Sequence, residues 1–136
     1  MRQLLKKLNA REIIKINRLA KHNALGATGE LMAVEWLQQK SFTILHVNWR
    51  YSHYEIDIVA AAGAVLHFIE VKTRRQEKFG QPEESVDKKK IANLMKAAEA
   101  FQYEYPEWKR VQYDVLSITI EADGKASYFF IEDVYL

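Results

Sequence analysis

Val-Leu-His-Phe-Ile-Glu-Val-Lys-Thr-Arg-Arg, residues 65–75, is the most informative segment of the chain, and the other elements are read as its support. Its first half is apolar at consecutive positions, which is typical of a strand covered on both faces of a sheet. Because side chains in a strand alternate between the faces, Glu70 and Lys72 point the same way. A carboxylate and an ammonium that close a buried strand need partners. We therefore expect other polar groups to meet them at this end of the strand.

The partner strand lies just upstream, in Tyr-Glu-Ile-Asp-Ile-Val-Ala at residues 54–60. Glu55 and Asp57 share one face of this strand, and a short turn around Gly63 separates it from the next strand. Such a short connection predicts an antiparallel hairpin. In that pairing Asp57 lies beside Glu70, with Lys72 near both.

Two carboxylates from adjacent strands form a hard-oxygen site suited to Mg²⁺ or Mn²⁺, with Asp57 and Glu70 as the metal ligands. A metal ion there would polarise a phosphoryl group, and Lys72 could orient the attacking water or neutralise developing charge. The pattern therefore predicts phosphodiester hydrolysis. The alternative is structural: Glu70 pairs with Lys72 on a strand edge, and Asp57 caps a turn.

The composition is that of one globular domain, with 49% hydrophobic and 28% charged residues in 136. The absence of cysteine excludes disulfides and thiolate metal sites, and no apolar run is long enough to span a membrane. We expect a cytoplasmic protein. Residues 1–23 carry seven basic side chains and one acidic, a net charge of +6, whereas the remaining 113 residues carry 13 basic and 17 acidic, a net charge of −4.

This asymmetry divides the chain into a basic amphipathic segment, residues 1–23, and a single domain, residues 24–136. The basic segment is compatible with short helices that contact nucleic acid, an anionic membrane or a partner. It is equally compatible with a helix docked on the domain, with its basic face in solvent.

Glu30 lies in a helix predicted from Ala24 to Lys40, on the same stripe as the apolar Ala33, Val34 and Leu37. A carboxylate on the inner stripe indicates either an additional group at the metal site or a first-turn acid favoured by the helix dipole. Both interpretations stay open at this point.

Further elements follow from periodicity and turn signals. A strand precedes the hairpin, and a helix capped by Ser85 or Asp87 runs to about Glu104. Two strands joined by the Ala-Asp-Gly-Lys turn at 122–125 complete the chain. Asp114 is a lone acid in the first of these strands, for which we expect a structural partner. The remaining strand ranges predicted are 41–50, 111–120 and 128–131.

Cations follow the acidic positions along the chain, where a phosphate backbone would lie if the carboxylates bind metal. A solvated, charged surface is the alternative explanation. The residues expected to contact nucleic acid are Arg50, Arg74, Arg75, Lys78, Lys88 and Lys90.

Several motifs in this order resemble those of the YraN family: Gly-Ala-Thr-Gly-Glu at 26–30, Asn-Trp-Arg at 48–50, Glu-Ile-Asp at 55–57, Phe-Ile-Glu-Val-Lys-Thr-Arg at 68–74, Phe-Gly at 79–80, Lys90, and Tyr-Asp-Val at 113–115. The element order resembles the PD-(D/E)xK restriction-endonuclease-like superfamily. This resemblance implies an α/β fold with a mixed sheet of about five strands flanked by helices.

The same resemblance implies that Asp57, Glu70 and Lys72 take catalytic positions, with Glu30 assisting the metal site. It also implies a Mg²⁺- or Mn²⁺-dependent DNA endonuclease similar to Holliday-junction resolvases, hence branched DNA as substrate and a homodimer. Tyr54 departs from the family pattern, which has glycine before Glu-Ile-Asp, and could crowd the approach to Asp57. The rival functions are a non-catalytic nucleic-acid-binding module and, from residues 1–23, a membrane-surface or partner adaptor.

Overall fold

The computed structural model describes residues 24–76 and 87–135. It confirms the predicted α/β class: within these residues a five-stranded sheet in the order β1-β2-β3-β4-β5 is flanked by two helices. The strands β3 and β4 pair in parallel and the other neighbours are antiparallel, so the sheet is mixed. The elements are α1 (Ala24–Gln39), β1 (Thr43–Tyr51), β2 (Tyr54–Ala62), β3 (Val65–Arg75), α2 (Lys88–Glu104), β4 (Arg110–Ile120) and β5 (Ala126–Ile131).

Local sequence explains how these elements begin and turn. Gly63 has φ 61° and Gly124 has φ 86°, the left-handed backbone that tight hairpin turns require and that glycine adopts at little cost. The Asp87 side chain accepts hydrogen bonds from the backbone N–H groups of Lys89 and Lys90, so Asp87 is the N-cap of α2. Both predicted hairpins and one of the two predicted caps are confirmed.

Each face of the sheet is covered by one helix, which gives the domain two cores. Leu37 of α1 packs with Ile58, Ile69 and Leu116 on one face. On the other face, Phe101 of α2 packs with a second set of strand residues that includes Ile56, Phe68 and Val115. The β3 strand contributes to both cores, as its unbroken apolar run predicts.

The β1–β2 ribbon changes face near its tip. The partners Val47 and Ile58 belong to the α1 side, whereas the partners Trp49 and Ile56 belong to the α2 side. Residues two apart in a regular strand share a face, so the alternation is interrupted between these pairs. Asn48 lies at the interruption with φ 55°, a conformation that asparagine tolerates better than most residues. This irregularity shapes the candidate site.

The basic segment 1–23 and Lys78 lie outside the described residues, as does the Ser85 alternative for the helix cap. Within the described ranges, neither helix is long and apolar enough to cross a membrane.

Candidate active site

The site forms where β2 and β3 separate. Their pairing runs from Ala62 and Val65 to Ile58 and Ile69, and the next position along would set Asp57 opposite Glu70. There the backbone pairing of the two strands stops, and the Asp57 side chain bonds to β3 instead. Its Oδ2 accepts a hydrogen bond of 2.8 Å from the Val71 N–H. The carboxylate is therefore held at the opening between the two strands.

Glu30 reaches the same opening from α1. It is the seventh residue of the helix and half-buried, and its Oε2 accepts a hydrogen bond of 2.9 Å from Nδ2 of Asn48. The inward orientation predicted from the helix stripe is confirmed. The alternative that Glu30 is a first-turn acid is wrong, since the first turn of α1 contains no acidic residue. The left-handed Asn48 thus contributes directly to the position of Glu30.

A close approach between α1 and β3 determines how far Glu30 reaches into the site. A Cβ atom on Gly29 would lie 2.7 Å from Thr73 Cβ and would overlap the Thr73 hydroxyl. Such distances are not tolerated in a packed interior, so a residue without a side chain is required at this position. Gly29 lets the helix approach β3 closely enough for the next residue, Glu30, to enter the site.

Glu55 is the third carboxylate at the opening. One oxygen from each of Glu30, Glu55 and Asp57 can be chosen so that all three lie within 4.8 Å of one another, and all three residues are half-buried. Glu55 also forms an ion pair of 3.0 Å with Nη2 of Arg50, its cross-strand partner. Three oxygen ligands at this spacing suit a hard divalent cation.

Glu70 and Lys72 adjoin this group from β3. Lys90 Nζ, from the first turn of α2, lies 4.0 Å from Glu70 Oε1. Lys72 is half-buried and close enough to lower the pKa of Glu70. Glu70 in turn lies close enough to raise the pKa of Asp57, so the predicted neighbours do come together.

Burial and crowding make the acids harder to ionise. Burial raises the pKa of the Asp57 carboxyl well above its ordinary value, and the negative charge of Glu70 raises it further despite the Val71 hydrogen bond. Burial likewise raises the pKa of Glu30, against the opposing effect of the Asn48 hydrogen bond. It also raises the pKa of Glu70, which Lys90 partly offsets. A cation at this position would relieve the repulsion.

The cations predicted to contact nucleic acid are distributed around the site. Arg50 and Lys90 are exposed and directly beside acids. Arg74 and Arg75 lie at the far end of β3, and the exposed Lys88 begins α2. The anions near the lysines of the first turn of α2 include the capping Asp87 and Glu70.

Tyr54 does not stand between the acids. It packs with the core on the α2 side, and its ring lies 4.1 Å from that of His53.

Asp114 has the structural partner predicted for it. Its Oδ2 lies 2.6 Å from His67 Nδ1, and its Oδ1 accepts hydrogen bonds from Gln112 Nε2 and the Asp133 N–H.

Sequence reasoning selected Glu30, Asp57, Glu70 and Lys72 but gave no site role to Glu55, Asn48 or Gly29. The two-residue spacing of Glu55 and Asp57 was the available signal for Glu55. The contributions of Asn48 and Gly29 depend on a left-handed residue and on a helix–strand distance, which no residue pattern specifies.

Together, the fold and this cluster define an α/β protein with carboxylates gathered at the end of a mixed sheet. The chain belongs to the uncharacterised protein family UPF0102, whose model matches residues 29–118. This membership confirms the resemblance to the YraN family that the motifs indicated. The matched range includes Glu30, Glu55, Asp57 and Glu70.

Curated relatives extend the similarity over most of the chain. A UPF0102 protein of Bacteroides thetaiotaomicron is 43% identical over 104 residues, covering 74% of this chain and 83% of the relative. One from Syntrophomonas wolfei is 41% identical, covering 75% and 89%. One from Bacteroides fragilis is 36% identical over 116 residues, covering 85% and 93%.

Proposed function

We propose that this protein is a divalent-metal-dependent endonuclease that hydrolyses phosphodiester bonds in DNA, with branched DNA as its preferred substrate. The observation that carries the proposal is the group Glu30, Glu55 and Asp57, whose ligand oxygens lie within 4.8 Å of one another beside Glu70. The nuclease-like arrangement of Asp57, Glu70 and Lys72, taken from the family motifs, supports the same chemistry.

The donor set fits Mg²⁺ or Mn²⁺. All the contributed atoms are carboxylate oxygens, and the pKa of Asp57 is raised first by burial and then by the neighbouring negative charges, which a cation would compensate. Glu30, Glu55 and Asp57 would hold the ion, with Glu70 adjacent. When bound, such an ion polarises a phosphate oxygen and lowers the pKa of its water.

The chain's own residues prepare the substrate. Arg50 and Lys90 are exposed beside the acids and are placed to attract a phosphate backbone. Lys72 lies next to Glu70, where an ammonium can orient a water or neutralise charge that develops on the phosphate. The hydrogen bonds from Asn48 and Val71 hold Glu30 and Asp57 in fixed orientations.

A cleavage screen tests this proposal. Purified protein is incubated with linear, nicked, flapped and four-way DNA in Mg²⁺ or Mn²⁺, beside the variants Asp57→Asn, Glu70→Gln and Lys72→Met. We expect metal-dependent cleavage of at least one substrate, lost in each variant. Glu35→Gln, an exposed acid on the same helix as Glu30, is the matched control and keeps activity. A wild-type protein that is inert on every substrate with both metals contradicts the proposal.

The second candidate function is nucleic-acid binding without chemistry. Its support is that Arg50 pairs with Glu55 and Lys90 lies near Glu70, so the chain itself supplies countercharges to the acids. This function predicts salt-dependent DNA binding without cleavage, and Asp57→Ala would bind equally or more tightly because a negative charge is removed. The resemblance to Holliday-junction resolvases also implies a homodimer, and light scattering in the presence of four-way DNA tests that part of the proposal.

A further inference from the structure

A cavity of about 620 Å³ opens between the tip of the β1–β2 hairpin and α2. Tyr51, Tyr54 and Tyr103 contribute three aromatic side chains to its lining. Tyr51 is 57% exposed and Tyr103 is 91% exposed, which is unusual for large rings without a partner to cover them. The size is within the range of pockets that hold small organic groups.

The residues that line the pocket favour a flat aromatic ligand. Tyr51 and Tyr54 are cross-strand partners, so their side chains emerge on one face of the hairpin. Tyr103 faces them from α2, where polar residues beside it also line the cavity. A flat ring with polar edges can stack on tyrosine and hydrogen-bond at its rim. Those polar lining residues are Lys96, Glu99 and Gln102.

One exposed stripe of α2 leads to the pocket. Lys89, Asn93, Lys96 and Tyr103 recur at helical spacing and are all exposed, with the half-buried Ala100 between the last two. The stripe begins beside Lys90, which lies 4.0 Å from Glu70, and it contains the cations Lys89 and Lys96; the exposed acid Glu99 adjoins it at the pocket. A polyanion that follows this stripe would pass from the acidic site to the aromatic pocket.

The pocket also lies close to the acids along β2. Tyr54 and Asp57 are three residues apart, about 10 Å at the rise of a strand. That span is about three nucleotides at the 3.4 Å spacing of a stacked nucleic-acid strand. Tyr54 and Ile56 lie on the α2 side, so Glu55 between them points to the other side, and Glu70, 4.0 Å from Lys90 of α2, is the acid on the side of the pocket. A strand whose phosphate lies near Glu70 and Lys90 could place a nearby base in the pocket.

We infer that this pocket, which we call the tyrosine pocket (Tyr51, Tyr54 and Tyr103), binds an unpaired nucleobase in the single-stranded part of the substrate. The inference rests on the proposed function and deepens it. Aromatic rings beside cations are the means by which proteins hold single strands without reading their sequence. The tyrosine pocket thereby selects DNA that contains an unpaired arm over blunt duplex.

The test measures binding to two probes: a blunt duplex, and the same duplex with a short single-stranded arm that carries 2-aminopurine. We expect the wild type to quench 2-aminopurine fluorescence by stacking. Tyr103→Ala should weaken binding to the armed probe by about 5- to 150-fold, the effect of losing one stacked base. Binding to the blunt duplex should stay within twofold. Tyr103→Phe keeps the ring and should restore both quenching and affinity.

Two controls make the result specific. Tyr135→Ala removes a tyrosine that is 80% exposed but does not line the pocket, and it should behave as wild type. Replacing the stacked nucleotide by an abasic one should weaken wild-type binding by a similar factor. Tyr103→Ala should then cause no additional loss, because both changes remove the same contact.

The outcomes separate this inference from the proposed function. If the wild type binds the blunt duplex but Tyr103→Ala and Tyr135→Ala behave alike on the armed probe, the inference alone is overturned. It is also overturned if Tyr103→Ala changes the oligomeric state in gel filtration while leaving armed-probe binding intact, since the pocket is then a protein interface. If the wild type binds neither probe, the proposed function fails, and the inference fails with it.

Discussion

Two acids in the same sheet, the buried Asp114 and the half-buried Asp57, have opposite surroundings. Asp114 is fully buried and receives two hydrogen bonds, from Gln112 and Asp133, with His67 Nδ1 2.6 Å away. Asp57 accepts a backbone hydrogen bond from Val71 and is surrounded by Glu30, Glu55 and Glu70. The first arrangement compensates its charge internally, whereas the second accumulates charge. This difference supports the proposal that Asp57 binds a cation, whereas the surroundings of Asp114 are those of a structural acid.

The largest effect expected from this comparison is on folding. Asp114→Ala should lower the free energy of unfolding by about 3 kcal/mol, because it leaves His67, Gln112 and the Asp133 N–H without their buried acceptor. Urea denaturation measures the change. Equal free energies of unfolding for Asp114→Ala and Asp57→Asn would contradict this difference between the two acids.

A smaller loss should follow from Gly29→Ala, which forces a methyl group against Thr73. Overpacking of this kind costs about 1–3 kcal/mol, and it should outweigh the gain of up to about 1 kcal/mol that alanine brings to a helix. Because Glu30 follows directly, Mn²⁺ affinity should fall as well. Adding Thr73→Ala removes part of the overlap and should recover part of both losses; full stability in Gly29→Ala alone would contradict the close approach.

Stability should also depend on pH through Asp57. Its pKa is raised in the folded state, so over the window between its unfolded and folded pKa the folded chain binds more protons. The free energy of unfolding therefore falls as pH rises through that window, and the loss is complete above the folded pKa. Asp57→Asn does not titrate, so from about pH 4 upward its melting temperature should exceed that of the wild type by an increasing margin, reaching about 2–5 °C.

Thermal melts at several pH values measure this margin without added metal. Saturating Mg²⁺ should then raise the melting temperature of the wild type by more than that of Asp57→Asn. If the difference in melting temperature between Asp57→Asn and the wild type is constant across pH, the pKa of Asp57 is not raised in the folded state.

The smallest effect is expected at Arg50. Its side chain is 72% exposed, so loss of the Glu55 ion pair in Arg50→Ala should change stability by less than about 1 kcal/mol. The same variant frees the Glu55 carboxylate and should tighten Mn²⁺ binding severalfold. Weaker Mn²⁺ binding in this variant would show that Arg50 supports the site rather than competing with a cation.

Much of this arrangement followed from the sequence because it depends on short-range periodicity. The apolar run before Glu70 and the glycine turn at Gly63 set the hairpin register, and that register, continued by one position, leads to Asp57 and Glu70 where the strands separate. The helical stripe gave the inward orientation of Glu30. These features depend on alternation and turn chemistry, which are properties of neighbouring residues.

The composition of the acidic group depends on features of a different kind. The ribbon changes face near Asn48, and α1 approaches β3 at Gly29, and together these bring Glu30 to Glu55. A left-handed residue inside a strand and the distance between two packed elements are consequences of tertiary structure. For this reason the sequence directed attention to Glu70 as the partner of Asp57, and it did not single out Glu55.

Titration calorimetry with Mn²⁺ tests whether Glu30, Glu55 and Asp57 together hold one divalent cation. The predicted result is saturable binding of one ion per chain in the wild type and in Glu35→Gln. Asp57→Asn and Glu55→Gln should weaken that binding at least about tenfold while remaining folded. Wild-type protein without saturable binding, or Glu55→Gln that binds Mn²⁺ as tightly as the wild type, would contradict the claim.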